Sequence, residues 1–181
     1  MNTSNLSQLA GELRTHDIAC EVHGEADPAV GGTACDSRAV RAGDLFVCKG
    51  AAFRPAFLTS AREAGAVAYL ADADKLGELA AAEPSLPALC VPAGQLRRAM
   101  AVASAVAAGR PDRDLPIVGI TGTKGKTTCA YMLRSIFDHA RGTGRCGIIG
   151  TVETYDGVED GPSRNTTPES PDLWRHLSNA R

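Results

Sequence analysis

Apolar side chains at Leu6, Leu9, Ala10 and Leu13 recur at the spacing of one helical face, which predicts a short amphipathic helix at the start of the chain. The Gly31-Gly32 pair breaks that regularity. Residues 44–48 form an apolar run between a Gly-Asp turn and Lys49-Gly50, the pattern of a buried strand. Helical spacing returns over residues 56–64 and stops at Gly65, where a helix end favours a residue free to turn left-handed. Residues 66–70 and 88–91 are two more compact apolar strand candidates, separated by an Ala-rich, acidic stretch over 72–83. Leu96, Met100, Ala103 and Ala107 mark a helix over 95–108. This alternation predicts an α/β unit whose sheet is covered by helices.

Gly109-Arg110-Pro111-Asp112-Arg113-Asp114 interrupts every regular pattern, so a domain boundary is expected there. The expected division is a first domain over residues 1–109, a linker over 110–116 and a second unit over 117–181. The second unit reads as a strand over 117–121, a glycine-rich turn, a helix over 126–139 and a strand over 146–149, the order of a βαβ unit. The polar segment 155–171, with Asp156-Gly157 and Gly161-Pro162 inside it, reads as a hairpin or loop, and a short helix over 171–179 follows. A βαβ unit and one trailing helix cannot cover both faces of a sheet. The residues after Asp114 are therefore expected to expose apolar surface, and the first domain to be the better ordered half.

Composition narrows the classes. With 181 residues, 44% of them hydrophobic and 22% charged, the chain can bury a core of ordinary size and is not disordered as a whole. A formal charge of -2 and the lack of any Lys/Arg run give no footprint for nucleic acid. No apolar stretch approaches the roughly 20 residues that cross a bilayer, and the first ten lack the apolar centre of a signal peptide. A cytoplasmic protein without a membrane partner is expected. Cys20, Cys35, Cys48, Cys90, Cys129 and Cys146 show no C-x-x-C pair and no His at metal spacing, and are read as reduced thiols. His139 and His176, near predicted helix ends, are read as structural, and Glu153, Glu159 and Asp160 as solvated loop charges.

The stretch Gly119-Ile120-Thr121-Gly122-Thr123-Lys124-Gly125-Lys126-Thr127-Thr128 carries the chemistry. A glycine-rich turn leading into a helix aims consecutive backbone N–H groups at one point, where the helix dipole also favours an anion. Gly122 and Gly125 let the backbone approach phosphates closely, the Lys126 ammonium suits the β- and γ-phosphates, and the Thr127 hydroxyl suits Mg²⁺. Ile120 stands where the strict Walker pattern has glycine, so the match is to a variant.

That variant, Thr-Gly-Thr-x-Gly-Lys-Thr-Thr, resembles the ATP loop of the Mur ligases, ATP-dependent enzymes that add amino acids to UDP-N-acetylmuramic acid in peptidoglycan synthesis. Other stretches agree: Asp36-Ser37-Arg38, Gly43-Asp44-Leu45-Phe46-Val47, Lys49-Gly50, Phe53, Phe57 and Gly65-Ala66-Val67-Ala68 are similar to the N-terminal domain of the branches that add the third or the last two residues. Gly147-Ile148-Ile149-Gly150-Thr151 and Asn165-Thr166-Thr167-Pro168-Glu169 are similar to the branch that installs the third residue, rather than to the D-Ala-D-Ala-adding one. The chain departs from the family at Lys124, where Asn is usual, and at Arg54-Pro55-Ala56, where Asp-Gly-His is common.

The resemblance implies a small N-terminal α/β domain that binds the uridine nucleotide, followed by the first part of a phosphate-loop α/β central domain. It implies ATP and Mg²⁺ as cofactors, contacts to ATP from Gly122, Thr123, Lys124, Gly125, Lys126, Thr127 and Thr128, catalysis by Lys126, and Mg²⁺ on Thr127. Ser37, Arg38, Asn165, Thr166 and Thr167 are implied contacts to UDP-N-acetylmuramoyl dipeptide. Each has a plainer reading: a side-chain turn for Ser37, a surface pair with Asp36 or Asp44 for Arg38, a helix cap for Thr167, and solvent for Lys124. The implied whole is a ligase, monomeric at full length, with the 181-residue chain alone inactive. A non-catalytic UDP-sugar or nucleotide-binding remnant, the D-Ala-D-Ala-adding branch, or a small phosphate-loop kinase, stays open.

Overall fold

The computed structural model describes residues 4–142, 146–163 and 166–181. It divides into two compact units, Met1–Arg110 and Pro111–Arg181.

In the first unit β1 (Ser4–Asn5) runs directly into α1 (Leu6–Thr15). A capping box closes the helix start: the Gln8 N–H donates to the Asn5 side chain at 3.1 Å, and the Asn5 N–H donates to the Gln8 side chain at 3.0 Å. There follow β2 (Glu21–His23), β3 (Ala29–Val30), β4 (Gly32–Ala34) and β5 (Asp44–Val47). Next come α2 (Pro55–Glu63), β6 (Ala68–Asp72), α3 (Leu76–Ala82), β7 (Ala88–Val91) and α4 (Leu96–Ala107). β1 and β3 pair as a small antiparallel ribbon. The main sheet has the order β2-β7-β6-β5-β4, with β4 to β7 parallel and β2 antiparallel at one edge.

The apolar runs in β5, β6 and β7 are continuous because both faces of the sheet are covered. Leu45, Val47, Ala68, Leu70, Leu89 and Val91 pack with α1 and α4, whereas Phe46, Tyr69, Ala71, Ala88 and Cys90 pack with Leu58 and Ala61 of α2 and Leu79 of α3. Successive strand residues point to opposite faces, so each run feeds two cores. The acidic stretch over 72–83 forms α3 behind a short 3-10 turn, Ala73–Lys75. The expected break at Gly31-Gly32 is instead the start of edge strand β4. Glycine suits that strand because a Cβ at Gly32 would sit 2.5 Å from Asp44 Oδ1. The Asp44 carboxylate is buried and accepts the Arg41 N–H at 2.8 Å.

The second unit holds a 3-10 turn at Pro111–Arg113, α5 (Lys126–Arg141), β8 (Ile148–Ile149), β9 (Glu153–Tyr155), β10 (Asp160–Pro162) and α6 (Ser170–Ala180). The polar segment after Glu153 does form a hairpin, β9 with β10. The predicted strand over 117–121 does not form: Ile117 and Val118 are 52% and 62% exposed, and among the described residues no strand pairs with them. A strand exists only as part of a ladder, and β8, its expected parallel neighbour, pairs antiparallel with β9 instead. Of the expected βαβ unit, the helix and a two-residue second strand, β8, are formed, and the first strand is not. Met132, Ile136 and Phe137 on α5, with Val152 and Val158, are exposed, as the sequence leads one to expect of this half.

Candidate functional site

The glycine-rich turn keeps the geometry its sequence requires. Gly122 has φ +151° and Gly125, the residue capping α5, has φ +78°, values that side chains with a Cβ rarely adopt. No side chain caps the helix start and no acidic residue lies in its first turn, so the first amide groups of α5 point away from the helix without a competing carboxylate. The Lys126 ammonium folds back over the turn and donates to the Gly122 carbonyl at 2.7 Å. Thr123 and Lys124 are exposed at the tip, and Thr127 is half-buried beside Lys126. Backbone donors, a lysine and a hydroxyl thus converge on one short segment. This is what binding a polyphosphate demands.

Ser37 lies in the first unit, in a 3-10 turn, Ser37–Ala39, just beyond the carboxyl end of β4. Asp36 caps that turn by accepting the Arg38 N–H at 3.0 Å. The same carboxylate grips the Arg38 guanidinium through Nε at 2.9 Å and Nη2 at 2.6 Å, leaving the side chain 88% exposed. Of the two surface partners open to Arg38, it takes Asp36. Thr166 and Thr167 are exposed in a bend ahead of α6, and Asn165 lies outside the described residues.

A second polar cluster contradicts the reading of Glu153 and Glu159 as solvated loop charges. Arg134 of α5 ion-pairs with Glu153 of β9 and stacks over Tyr155, 5.4 Å from the ring centre. Arg175 of α6 ion-pairs with Glu159. His176, read as structural without a carboxylate pattern, is 8% exposed and faces one: its Nδ1 lies 2.6 Å from Oδ2 of Asp156 and 3.9 Å from Glu159. Asp156 is 2% exposed and also accepts from Asn179 at 2.9 Å and from the N–H groups of Val158 and Glu159 at 2.9 and 2.7 Å. Burial pushes its carboxyl up, but the bonds from Glu159, His176, Asn179 and Val158 outweigh that and hold it at about 2. Ligand atoms of Asp156, Glu159 and His176 lie within 4.8 Å of one another, close enough for one cation. The four donors already on Asp156 and the guanidinium on Glu159 make the cluster self-satisfied instead.

Residues 120–181, which contain the turn and both threonines, match the family described as Mur ligase middle domain. The chain is 43% identical over 148 residues to a UDP-N-acetylmuramyl-tripeptide synthetase of Lactobacillus delbrueckii subsp. bulgaricus, covering 80% of the chain and 27% of that protein. It is 41% identical over 175 residues to a UDP-N-acetylmuramoyl-L-alanyl-D-glutamate--2,6-diaminopimelate ligase of Streptomyces avermitilis, covering 96% of the chain and 32% of that protein. A ligase of the same name from Streptomyces coelicolor is 44% identical over the same length. A solved structure of such a diaminopimelate ligase shares the fold at TM-score 0.64 and 21% identity, over 99% of this chain and 34% of its own. The chain therefore spans about a third or less of the length of the relatives it matches.

Two further residues escape a reading of the sequence. Asp72 ends β6, and Gln95 precedes α4 just beyond β7, both at the carboxyl edge of the parallel sheet where Ser37 also lies. Open α/β sheets bind ligands outside that edge. Asp72 Oδ1 and Gln95 Oε1 are buried and carry no hydrogen bond among the described residues. Burial, with Asp74 nearby, raises the Asp72 carboxyl above its ordinary range. The only available signal was an acid ending an apolar run, which also fits a turn. No helix among the described residues is long and apolar enough to cross a membrane.

Proposed function

We propose that this chain belongs to an ATP-dependent cytoplasmic ligase that adds the third amino acid to UDP-N-acetylmuramoyl-L-alanyl-D-glutamate in peptidoglycan synthesis. The observation that carries the reading is the glycine turn at an uncapped helix start, with Lys126 folded onto Gly122, inside the stretch that matches the Mur ligase middle domain. Tripeptide synthetases and diaminopimelate ligases as relatives favour the third-residue branch over the D-Ala-D-Ala-adding one. Both kinds of name occur among them, so lysine and meso-diaminopimelate are equally compatible amino acids.

In this reading the γ-phosphoryl group of ATP passes to the substrate carboxylate, giving an acyl phosphate and ADP. The amino group of the incoming residue then attacks the acyl carbon, the amide forms, and phosphate and a proton leave. The turn over Gly122, Thr123, Lys124 and Gly125, with the amides of Lys126, Thr127 and Thr128, cradles the phosphates, and Lys126 neutralises charge on the transferred group. The Thr127 hydroxyl fits the magnesium ion, which supplies further neutralisation of the triphosphate when bound. Ser37 and Arg38 hold the uridine diphosphate, and Asn165, Thr166 and Thr167 the muramoyl peptide. The first domain, residues 1–109, is the uridine-nucleotide domain, and residues 117–181 begin the ATP domain.

Calorimetric titration with Mg·ATP, beside an amide-forming assay on the complete gene product, tests this. Uptake of the nucleotide and a loss of about a hundredfold or more in rate on Lys126→Ala are expected. Binding without turnover by the complete product points to a non-catalytic remnant, and an unchanged Lys126→Ala variant overturns the ligase reading.

A further inference from the structure

The pair Thr166 and Thr167 follows the hairpin in the chain, which ends at Pro162, and precedes α6, which starts at Ser170. Its first flank is fixed by the β9–β10 ladder, by Ser163 donating its N–H to the Val152 carbonyl at 3.2 Å, and by the Ser163 and Thr154 hydroxyls bonded at 2.8 Å. Its second flank is α6, a helix that could slide along its axis unless something outside it sets its position. The turn of the same hairpin does so. Asp156 at the turn takes His176 and Asn179, one helical turn apart on α6, and Glu159 takes Arg175. Both flanks of the threonine pair are thereby referenced to one hairpin.

We propose that His176, held by Asp156, is a positioning residue for the muramoyl-peptide substrate: it fixes the register of α6 against the β9–β10 hairpin and so the placement of Thr166 and Thr167. The imidazole suits the task because the geometry assigns its proton. Nε2 lies 3.4 Å from Arg175 Nη2, a group that can only donate, so Nδ1 is the donor to Asp156. The bond is short, buried and directional, and Arg175, ion-paired to Glu159, lies beside the other ring nitrogen. A misplacement of about 1 Å in such a support costs on the order of a hundredfold when the supported groups must meet a substrate. The ATP loop is served by a separate tie, Arg134 to Glu153, so the two substrates should respond differently.

The inference rests on the ligase reading, and its test keeps the two apart. On the complete gene product, KM for the UDP-muramoyl dipeptide and KM for ATP are measured for the wild type, His176→Leu and His176→Asn. A wild type without ligase activity sinks the proposed function itself. With an active wild type, His176→Leu should raise the peptide KM about tenfold or more and the ATP KM less than twofold. His176→Asn, whose amide nitrogen can occupy the place of Nδ1, should restore most of the loss. Should the leucine variant not melt cooperatively, Glu159→Gln, which leaves the Asp156 bond in place and weakens the grip of Arg175, should show the same split at about threefold. Equal rises in both KM values, unchanged values, or no rescue by asparagine overturn the inference.

Discussion

The two units solve the same problem with different chemistry. In Met1–Arg110 each core strand sends alternate residues into two apolar layers, and position is set by packing. In Pro111–Arg181 the described strands are only two or three residues long, and the ties between elements are charged: Arg134 to Glu153, Arg175 to Glu159, His176 to Asp156. A packed core is stable but yields little to a ligand. A directional polar frame can hold a loop in register while leaving the loop itself exposed. The difference teaches that the half carrying the glycine-rich turn and the threonine pair relies on directional bonds.

Substitution of one large apolar residue in each half breaks or sharpens this contrast most strongly. Leu89 of β7 is fully buried, and Leu89→Ala should cost roughly 3 kcal/mol through lost burial and a cavity. Met132 of α5 is exposed, and Met132→Ala should change stability by no more than about 0.5 kcal/mol. Denaturant unfolding of both variants checks the pair. Equal costs would mean that Met132 is packed in solution, and the contrast would fail.

The next effect is electrostatic and confined to the second unit. Asp156 has a folded-state pKa of about 2 against an unfolded value near 4. Its folded pKa is depressed, so its contribution is fully present above about pH 4 and fades as pH falls towards 2. That difference is worth roughly 2.5 kcal/mol. Asp156→Asn should remove most of it at neutral pH and flatten the acid limb of the unfolding curve. Acid unfolding followed by the fluorescence of Trp174, on α6, reports it directly.

What the sequence made legible follows the same divide. Strands at 88–91 and within 44–48, and the helices starting near 6, 56, 95 and 126, were readable because an apolar period is a local property of the chain. β4 was missed because its glycine answers to Asp44, twelve residues away. The strand over 117–121 was expected from its apolar letters, but pairing is not written in the strand itself. The glycine-rich turn ahead of α5 was legible as a contiguous motif. The Asp156, Glu159 and His176 cluster was not, since those residues carry no fixed spacing and meet only when the hairpin folds against α6. Asp72 and Gln95 escaped for the same reason.

A smaller effect probes the glycine-rich turn. Gly125 caps α5 in the left-handed region with nothing near a would-be Cβ, so the strain of Gly125→Ala is conformational rather than steric. A cost of about 1 kcal/mol in stability is expected. Because the substitution tilts the first amides of α5, weaker Mg·ATP binding should accompany it. Calorimetry finding native affinity would show that the turn tolerates a side chain there and does not need its left-handed cap.

The smallest expected change in stability belongs to Arg38, in the first unit, and it decides between two readings of one side chain. Arg38 is bound to Asp36 through Nε and Nη2, while no bond to Nη1 is formed among the described residues. An exposed pair of this kind contributes little to folding, so Arg38→Ala should leave the melting temperature unchanged. If Asp36 instead aims the guanidinium at a diphosphate, the same variant should weaken UDP binding about tenfold. Arg38→Lys should not restore the loss, because an ammonium cannot keep two bonds to Asp36 and still present a planar edge to phosphate oxygens. Native UDP affinity in Arg38→Ala would reduce the residue to a surface pair.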